Sequence, residues 1–322
     1  MKKDRIVSVD IFRGATILLM VLVNTPGTWS NVYGPFLHAD WHGYTPTDLV
    51  FPFFLFIVGT SIAFSYKNRT VDAKAYKKIA IRALKLIALG LFLGAFLIWV
   101  TAVLLIGYWL LMTFVPVEGV ASTLERAPNN LANWIDVKVF GTHNYKADYD
   151  PEGLLSTVPA IASSLLGVFT GLILTAKQEK KATILMGIGG SFLIIGHMWD
   201  LVFPINKALW TSSFVLVTAG WANLILALIY YLTDVKKIEF GSIFRYAGAN
   251  AIVIYFLSSF ISKVMGQIQV GDTSLHVWLF QKVYVHDFLA LETSSLLYGL
   301  SVVLFYSLVG YILYQKKIFI KV

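Results

Sequence analysis

The sequence contains no cysteine and few charged residues. Without cysteine, the chain cannot form a disulfide, a thiolate zinc site, an iron–sulfur cluster or a cysteine nucleophile. Charged residues make up 14% of the 322 residues, whereas about 25% is usual in soluble domains. Hydrophobic residues make up 57%, and the mean hydropathy is +0.71. This composition excludes a soluble globular enzyme and a disordered chain.

Apolar runs of about 20 residues recur along the chain, and each is long enough to cross a hydrocarbon core of about 30 Å. They predict an all-α fold, a polytopic bundle of about eight transmembrane helices forming a single domain over residues 1–322. The first span is Ile6 to Val23, and no cleavage site of a signal peptide follows it. The later predicted spans are 47–66, 79–115, 154–175, 182–203, 209–232, 246–266 and 294–314.

The net charge of +8 comes from Lys and Arg in short connections, which indicates membrane topology and not a nucleic-acid surface. The positive-inside rule places the basic connections, and with them both termini, in the cytoplasm. The loop 116–153 is then extracytoplasmic, and its segment 129–140 is expected to form a short helix. Residues 79–115 are too long for one upright span, so we expect one tilted or broken crossing there.

Histidine suits proton transfer near neutral pH, and the first outer loop contains His38 among aromatic residues. Phe36, Leu37 and Trp41 are expected to desolvate His38 and keep it neutral. The alternative is an interfacial histidine within a belt of aromatic side chains. A metal shared by His38 and His42 is disfavoured because no third ligand stands out.

Two polar residues flank this loop. Asp48 follows Thr45-Pro46-Thr47 in a helix-start pattern, and it can also orient an imidazole as the third member of a triad does. These two interpretations of Asp48 are compatible. Asn24 ends the first helix, where it either caps the helix or holds a substrate carbonyl as an oxyanion donor does.

At the cytoplasmic boundary, Asp10 and Arg13 are three residues apart and share a helix face. They form either a simple ion pair or part of a site for the phosphates of a cofactor. Asn250 is a polar group within an apolar span, which by default marks a functional site.

The outer connections also carry residues suited to sugar recognition, because carboxylates and amides bind hydroxyls and tryptophan stacks on sugar rings. Ordinary turn and cap chemistry is the alternative. The candidate substrate-binding residues are Trp41, Asp150, Glu152, Asn206, Lys207 and Trp210.

Two motifs are distinctive: Arg-x-x-Ser-x-Asp-x-Phe-Arg-Gly over Arg5–Gly14, and His-Ala-x-Trp-x-Gly-x-Thr-x-x-Asp-Leu-Val-Phe-Pro-x-Phe beginning at His38. Together they resemble the heparan-α-glucosaminide N-acetyltransferase family and its bacterial relatives. The likeness continues at Asp150-Pro-Glu-Gly, Pro204-Ile-Asn-Lys-x-Leu-Trp and Tyr246-x-Gly-x-Asn250.

The resemblance implies transfer of acetyl from cytosolic acetyl-CoA, as co-substrate, to the amine of a glucosamine-type sugar across the membrane. It implies His38 as the catalytic histidine, with Asn24 and Asp48 at the family's asparagine and acidic positions. Direct transfer and an acetyl-histidine intermediate both stay open, and no metal is implied. The family carries one or two further helices after its third span, so this chain is expected to be shortened after residue 99.

The sequence predicts an integral multi-pass protein of a bacterial inner membrane, whose partners are the lipid bilayer and an amino-sugar or envelope-glycan acceptor. Nucleic acid is not an expected partner, and a homo-oligomer is compatible with the sequence. The main alternative function is a transporter for amino sugars or cell-wall fragments, since fold alone does not define function. A scaffold in envelope assembly is a third interpretation.

Overall fold

A computed structural model describes residues 6–66 and 97–320, and within these ranges it is predominantly helical. One antiparallel hairpin, β1 (Gln269–Val270) and β2 (Thr273–Ser274), pairs Gln269 with Ser274 and Val270 with Thr273. The α-helices of the described residues are α1 (Val7–Asn24), α2 (Val50–Tyr66), α3 (Leu97–Phe114), α4 (Leu131–Phe140), α5 (Thr157–Thr175), α6 (Lys181–Asp200), α7 (Ser212–Tyr230), α8 (Ser242–Ala249), α9 (Ala251–Gln267), α10 (Leu275–Val283) and α11 (Leu291–Gln315).

Across the described ranges, seven helices are long and apolar enough to cross a membrane, or eight if the bent pair α8–α9 forms one span. This confirms the predicted polytopic helical bundle and its approximate number of spans. The predicted helix at 129–140 is also present as α4, with the side chain of Asn130 accepting from the amides of Ala132 and Asn133. Of the crossing predicted over 79–115, residues 79–96 lie outside the described residues.

The span predicted over 246–266 is broken in the structure, because α8 and α9 meet at an angle of 80°. Asn250 at the break has non-helical dihedral angles, with φ −130° and ψ 36°. Its amide Nδ2 donates to the carbonyl of Ile318 at 3.0 Å, and its Oδ1 accepts from the amide of Ile320 at 3.1 Å. The side chain therefore binds backbone of the C-terminal segment.

The chain divides into two compact units, and the first comprises the described parts of 1–39, 44–54 and 225–322. Its core joins α1, α8, α9 and α11 through Ile17, Leu18, Val21, Ala247, Ala251, Ile254 and Tyr306. A Cβ added to Gly14 would lie 1.6 Å from the Phe244 carbonyl oxygen, and one added to Gly248 would lie 2.1 Å from that of Asp10. The backbones of α1 and α8 are thus in direct contact, as small residues permit in membrane helices.

The second unit comprises 40–43 and the described parts of 55–224, so the division falls within α2 and α7. A core cluster includes part of the loop 116–153. Its residues are Tyr108, Met112, Val117, Leu131, Ala132, Phe203 and Leu209. Gly59 on α2 faces the Ser164 carbonyl, and Gly167 on α5 faces that of Phe56, at distances that leave no room for a Cβ. These contacts bring α2 and α5 together.

Several long helices present apolar side chains outward. Only 17% of the spanning window of α6 is buried, and 28% of that of α11. The exposed residues include Ile194, Ile195 and Met198 on α6 and Leu304, Phe305 and Leu308 on α11. Extended exposed apolar surface marks a surface that contacts lipid or protein, so these faces fit an integral multi-pass membrane protein.

Candidate active site

The segment before α2 is organised by a capping box. Thr45 precedes a short 3-10 helix (Pro46–Leu49), and Pro46 occupies its first position. The Asp48 amide donates to the Thr45 carbonyl, while the Thr45 amide donates back to Asp48 Oδ2 at 2.8 Å. The helix start predicted from Thr45-Pro46-Thr47-Asp48 is therefore confirmed, and it fixes the Asp48 side chain in the first unit.

Asp48 contacts His38 as well. His38 Nδ1 lies 2.7 Å from Asp48 Oδ1, and Asp48 Oδ2 accepts from the Ala39 amide at 3.0 Å and the Thr45 hydroxyl at 3.1 Å. Asp48 is 0% exposed. An ionised carboxylate can only accept hydrogen bonds. Nδ1 of the imidazole must therefore carry the proton that is donated to Asp48 Oδ1. Nε2 is then the nitrogen of His38 that holds a lone pair, as in catalytic triads.

The expected desolvation of His38 by Phe36, Leu37 and Trp41 is not observed. The His38 side chain is 52% exposed. The physical reason is that His38 lies in a loop segment just after a 3-10 turn (Gly34–Phe36) and not within a helix. Its orientation comes from Asp48, and the imidazole itself is accessible.

His42 forms a second histidine–carboxylate pair in the second unit, which sequence reasoning missed. Its Nε2 lies 3.2 Å from Glu125 Oε1, and its Nδ1 lies 3.4 Å from Asn206 Nδ2. Asn206 Oδ1 accepts from the Leu209 amide at 2.9 Å, so its Nδ2 must face the histidine. Nδ1 of His42 is then the acceptor and Nε2 the donor, because an amide nitrogen can only donate. No local signal links His42 to Glu125, which is 83 residues away.

The loop 116–153 of the second unit packs around Trp41. The indole Nε1 donates to the Leu124 carbonyl at 3.0 Å, and Tyr149 meets the ring edge-on with centroids 5.4 Å apart. Arg126 lies over Tyr149 and forms two hydrogen bonds to Asp148, which lowers the pKa of that carboxyl. Trp41 is partly exposed at this surface, and its predicted contact with substrate stays a prediction.

The other candidate sugar-binding residues of this unit lie in ordinary turns or in the interior. Asp150 accepts from the amides of Tyr145 and Glu152, which is turn chemistry, and Glu152 is exposed. Asn206 is 0% and Trp210 is 4% exposed, and the Trp210 indole donates to Ser163 Oγ at 3.1 Å. Burial prevents the Trp210 ring from presenting a face for stacking, whereas Lys207 is half-buried near it.

The remaining predicted site residues belong to the first unit. Asn24 is the last residue of α1 and is exposed. Arg13 Nη1 lies 3.2 Å from Asp10 Oδ1, so the predicted ion pair is present. Asp234, which sequence reasoning missed, caps α1 by accepting from the amides of Val7 at 3.1 Å and Ser8 at 3.0 Å.

Together, the fold and the site define a class: a polytopic helical membrane protein with an accessible histidine oriented by a buried carboxylate.

Comparison with known proteins shows what this chain is similar to. The family described as "Heparan-alpha-glucosaminide N-acetyltransferase, catalytic" matches residues 5–110, a range that includes both His38 and Asp48. The chain is 27% identical to the heparan-alpha-glucosaminide N-acetyltransferases of Mus musculus and Homo sapiens, with 99% of the chain covered in each case. These matches agree with the resemblance to that family predicted from the sequence motifs.

The chain spans about 61% of the mouse relative and 60% of the human one. The alignment to the mouse protein extends over 417 positions, whereas this chain has 322 residues. At least 95 of those positions therefore face gaps in this chain. A shortening after residue 99 stays a prediction about where part of that difference falls.

Proposed function

We propose that this protein is a transmembrane acetyltransferase that moves the acetyl group of cytosolic acetyl-CoA to the amine of a glucosamine-type sugar outside the cytoplasm. The observation that carries the proposal is the 2.7 Å contact between His38 and the buried Asp48. It lies within the segment that matches the catalytic family. The names of the relatives support N-acetyl transfer to a glucosamine.

His38 performs the proton transfer in this proposal. Nε2 takes a proton from the sugar ammonium, and the amine lone pair then attacks the thioester carbonyl carbon. A carbon–nitrogen bond forms, the carbon–sulfur bond breaks, and CoA leaves as a thiolate that takes the proton held by His38. The second proton lost by the nitrogen goes to solvent. In the alternative sequence Nε2 attacks the carbonyl first, the carbon–sulfur bond breaks, and an acyl-imidazole forms. The CoA thiolate takes a proton from the sugar ammonium, and the free amine then attacks the acyl carbon, which breaks its bond to Nε2. In both sequences Asp48 keeps the proton on Nδ1 and holds the ring in place.

Three further assignments belong to the proposal. Asn24 polarises the thioester carbonyl from the end of α1, and Arg13 with Asp10 contributes to the cytoplasmic site for the phosphates of acetyl-CoA. Trp41 contacts the acceptor at the outer surface. The protein acts in a bacterial inner membrane with both termini in the cytoplasm.

The test uses purified protein in sealed proteoliposomes, with radiolabelled acetyl-CoA on one side and glucosamine on the other. We expect labelled N-acetylglucosamine with the wild type and none with His38→Ala. Wild-type turnover by a folded His38→Ala protein would contradict the assignment of the base.

A transporter for amino sugars is the second candidate, because one observation favours it. The 80° break between α8 and α9 forms a discontinuous helix, and transporters build substrate sites from such breaks. Here the Asn250 side chain at the break is bound to the backbone of Ile318 and Ile320. Uptake of labelled sugar without acetyl-CoA would establish the transporter, and strict dependence on acetyl-CoA would exclude it.

A further inference from the structure

A small cleft lies at the outer end of the first unit, between the loop that follows α1 and the first turns of α11. Its empty space of about 270 Å³ includes open solvent, so it is an open groove at the surface and not an enclosed cavity. Its polar and aromatic lining comes from Tyr33, Phe36, Glu292 and Ser295, and its floor includes Leu22 and Pro26.

The walls of the cleft are fixed by hydrogen bonds from both sides. Tyr33 Oη lies 2.7 Å from Thr293 Oγ1, and Asn31 Nδ2 donates to Glu292 Oε1 at 3.2 Å. Ser295 Oγ donates to the Thr28 carbonyl and accepts from the Thr28 amide, both at 3.1 Å. A wall held in this way is pre-organised, which reduces the entropy cost of binding.

The same wall continues into the His38–Asp48 pair. The Pro35 carbonyl accepts from Thr47 Oγ1 at 3.1 Å, and the Leu37 carbonyl accepts from Thr45 Oγ1 at 2.6 Å. Phe36, which lines the cleft, therefore lies between two backbone groups tied to the segment that holds Asp48. Along the chain, the residues of this wall fall between Asn24 and His38.

The charge around the cleft favours a cation. The sequence contains no Lys or Arg between Arg13 and Lys67, or between Lys282 and Lys316, and these stretches supply every residue of the lining. His276 contacts the Pro26 carbonyl, and burial lowers its pKa, so it adds no positive charge near neutral pH. Glu292 supplies a carboxylate, and the rings of Tyr33 and Phe36 supply faces that attract cations and cover sugar rings.

We infer that this cleft is the recognition site for the amino-sugar acceptor, with Glu292 binding the ammonium group and Tyr33 and Phe36 packing on the ring. The inference rests on the proposed function for the identity of the acceptor. Glu292 acts here as a specificity residue that separates an amino sugar from a neutral sugar. The proton and the acetyl group are handled by His38.

The test measures binding of glucosamine and of glucose to purified protein in lipid nanodiscs, by saturation-transfer NMR, and the acceptor KM in the transfer assay. Glu292→Gln keeps the shape of the side chain and its contact with Asn31 but removes the charge. We expect it to weaken glucosamine binding and raise the glucosamine KM about tenfold, with glucose binding and kcat unchanged. Tyr33→Ala should weaken binding of both sugars.

Asp287→Asn is the matched control, because it removes one exposed carboxylate five residues before Glu292; it should change neither affinity nor KM. Equal behaviour of the Glu292 and Asp287 variants, or no preference of the wild type for glucosamine over glucose, would overturn the inference. Selective glucosamine binding without acetyl transfer would instead refute the proposed function and leave the cleft assignment standing.

Discussion

Among the described residues, His38 pairs with Asp48 and His42 pairs with Glu125, and these two histidines are only four residues apart. In the first pair the histidine is 52% exposed, and its carboxylate side chain is 1% exposed. In the second pair the histidine is 30% exposed and the carboxylate 71% exposed. The first carboxylate accepts further hydrogen bonds that hold it in place, whereas the second lies in solvent, where a polar contact contributes little to stability.

The two imidazoles also carry opposite tautomers. Asp48 requires the proton on Nδ1 of His38, so the basic nitrogen is Nε2. Asn206 donates to Nδ1 of His42, so the basic nitrogen of that ring is already an acceptor within the protein. A histidine beside a carboxylate is therefore not sufficient for base catalysis, because the position of the proton decides which nitrogen can react.

The largest expected difference is between removal of the two histidines. His38→Ala should lower the rate of acetyl transfer about 10³-fold, as loss of a general base does, whereas His42→Ala should change it by less than about threefold. The assay is proteoliposome transfer, with size-exclusion chromatography to check that both variants are folded. A comparable loss in both variants would erase the distinction between the pairs.

The next largest difference concerns the carboxylates. Asp48→Asn should lower the rate about 100-fold or more, because an amide no longer fixes the tautomer of the imidazole. Glu125→Gln should have little effect, since its partner His42 is not the base. Rates measured across pH would be informative here, and an Asp48→Asn protein with the wild-type rate and pH profile would refute the orienting role.

A smaller effect is expected from the hydroxyls that support each pair. Thr45→Val removes the hydroxyl that donates to Asp48 and to the Leu37 carbonyl. It should lower the rate of acetyl transfer about threefold to tenfold. It should also lower the free energy of unfolding by about 1 kcal/mol, as loss of a helix cap does. The matched variant Thr123→Val removes the hydroxyl that accepts from the Glu125 amide and should leave the rate unchanged. Thermal unfolding in detergent gives the stability, and equal rates in the two variants would contradict the comparison.

The smallest effect concerns a buried carboxylate of the second unit, Asp136, which is 1% exposed and accepts from the Leu154 amide at 2.9 Å. Burial raises its pKa above the ordinary value of 3.8. As pH rises above about 4, the unfolded chain loses this proton first, so the free energy of unfolding falls until the folded-state pKa is passed. Asp136→Asn should remove this fall and keep the acceptor for the Leu154 amide. Parallel pH profiles of thermal stability in the two proteins would show that Asp136 does not titrate in this way.

Much of the architecture was accessible to prediction because it depends on local properties. Spans follow from the length of apolar runs, and α4 follows from its Asn130 cap. The capping box of Thr45 and Asp48 was predicted because these two residues are three positions apart in the sequence. The 80° break at Asn250 was missed because its cause is a contact with Ile318 and Ile320, about 70 residues later in the chain.

The sequence by itself determined the class of protein, the family that it resembles and the two residues of the candidate pair, since each is a matter of composition or of a short motif. Only the tertiary structure decided that Asp48 contacts His38, that His38 is exposed, and that His42 is held by Asn206. It also brought Asp234 to the start of α1 and Glu292 to the loop after α1, across more than 220 residues of sequence in each case. The physical reason is that hydrogen bonds act over about 3 Å, and the packing of the helices decides which distant side chains come within that range.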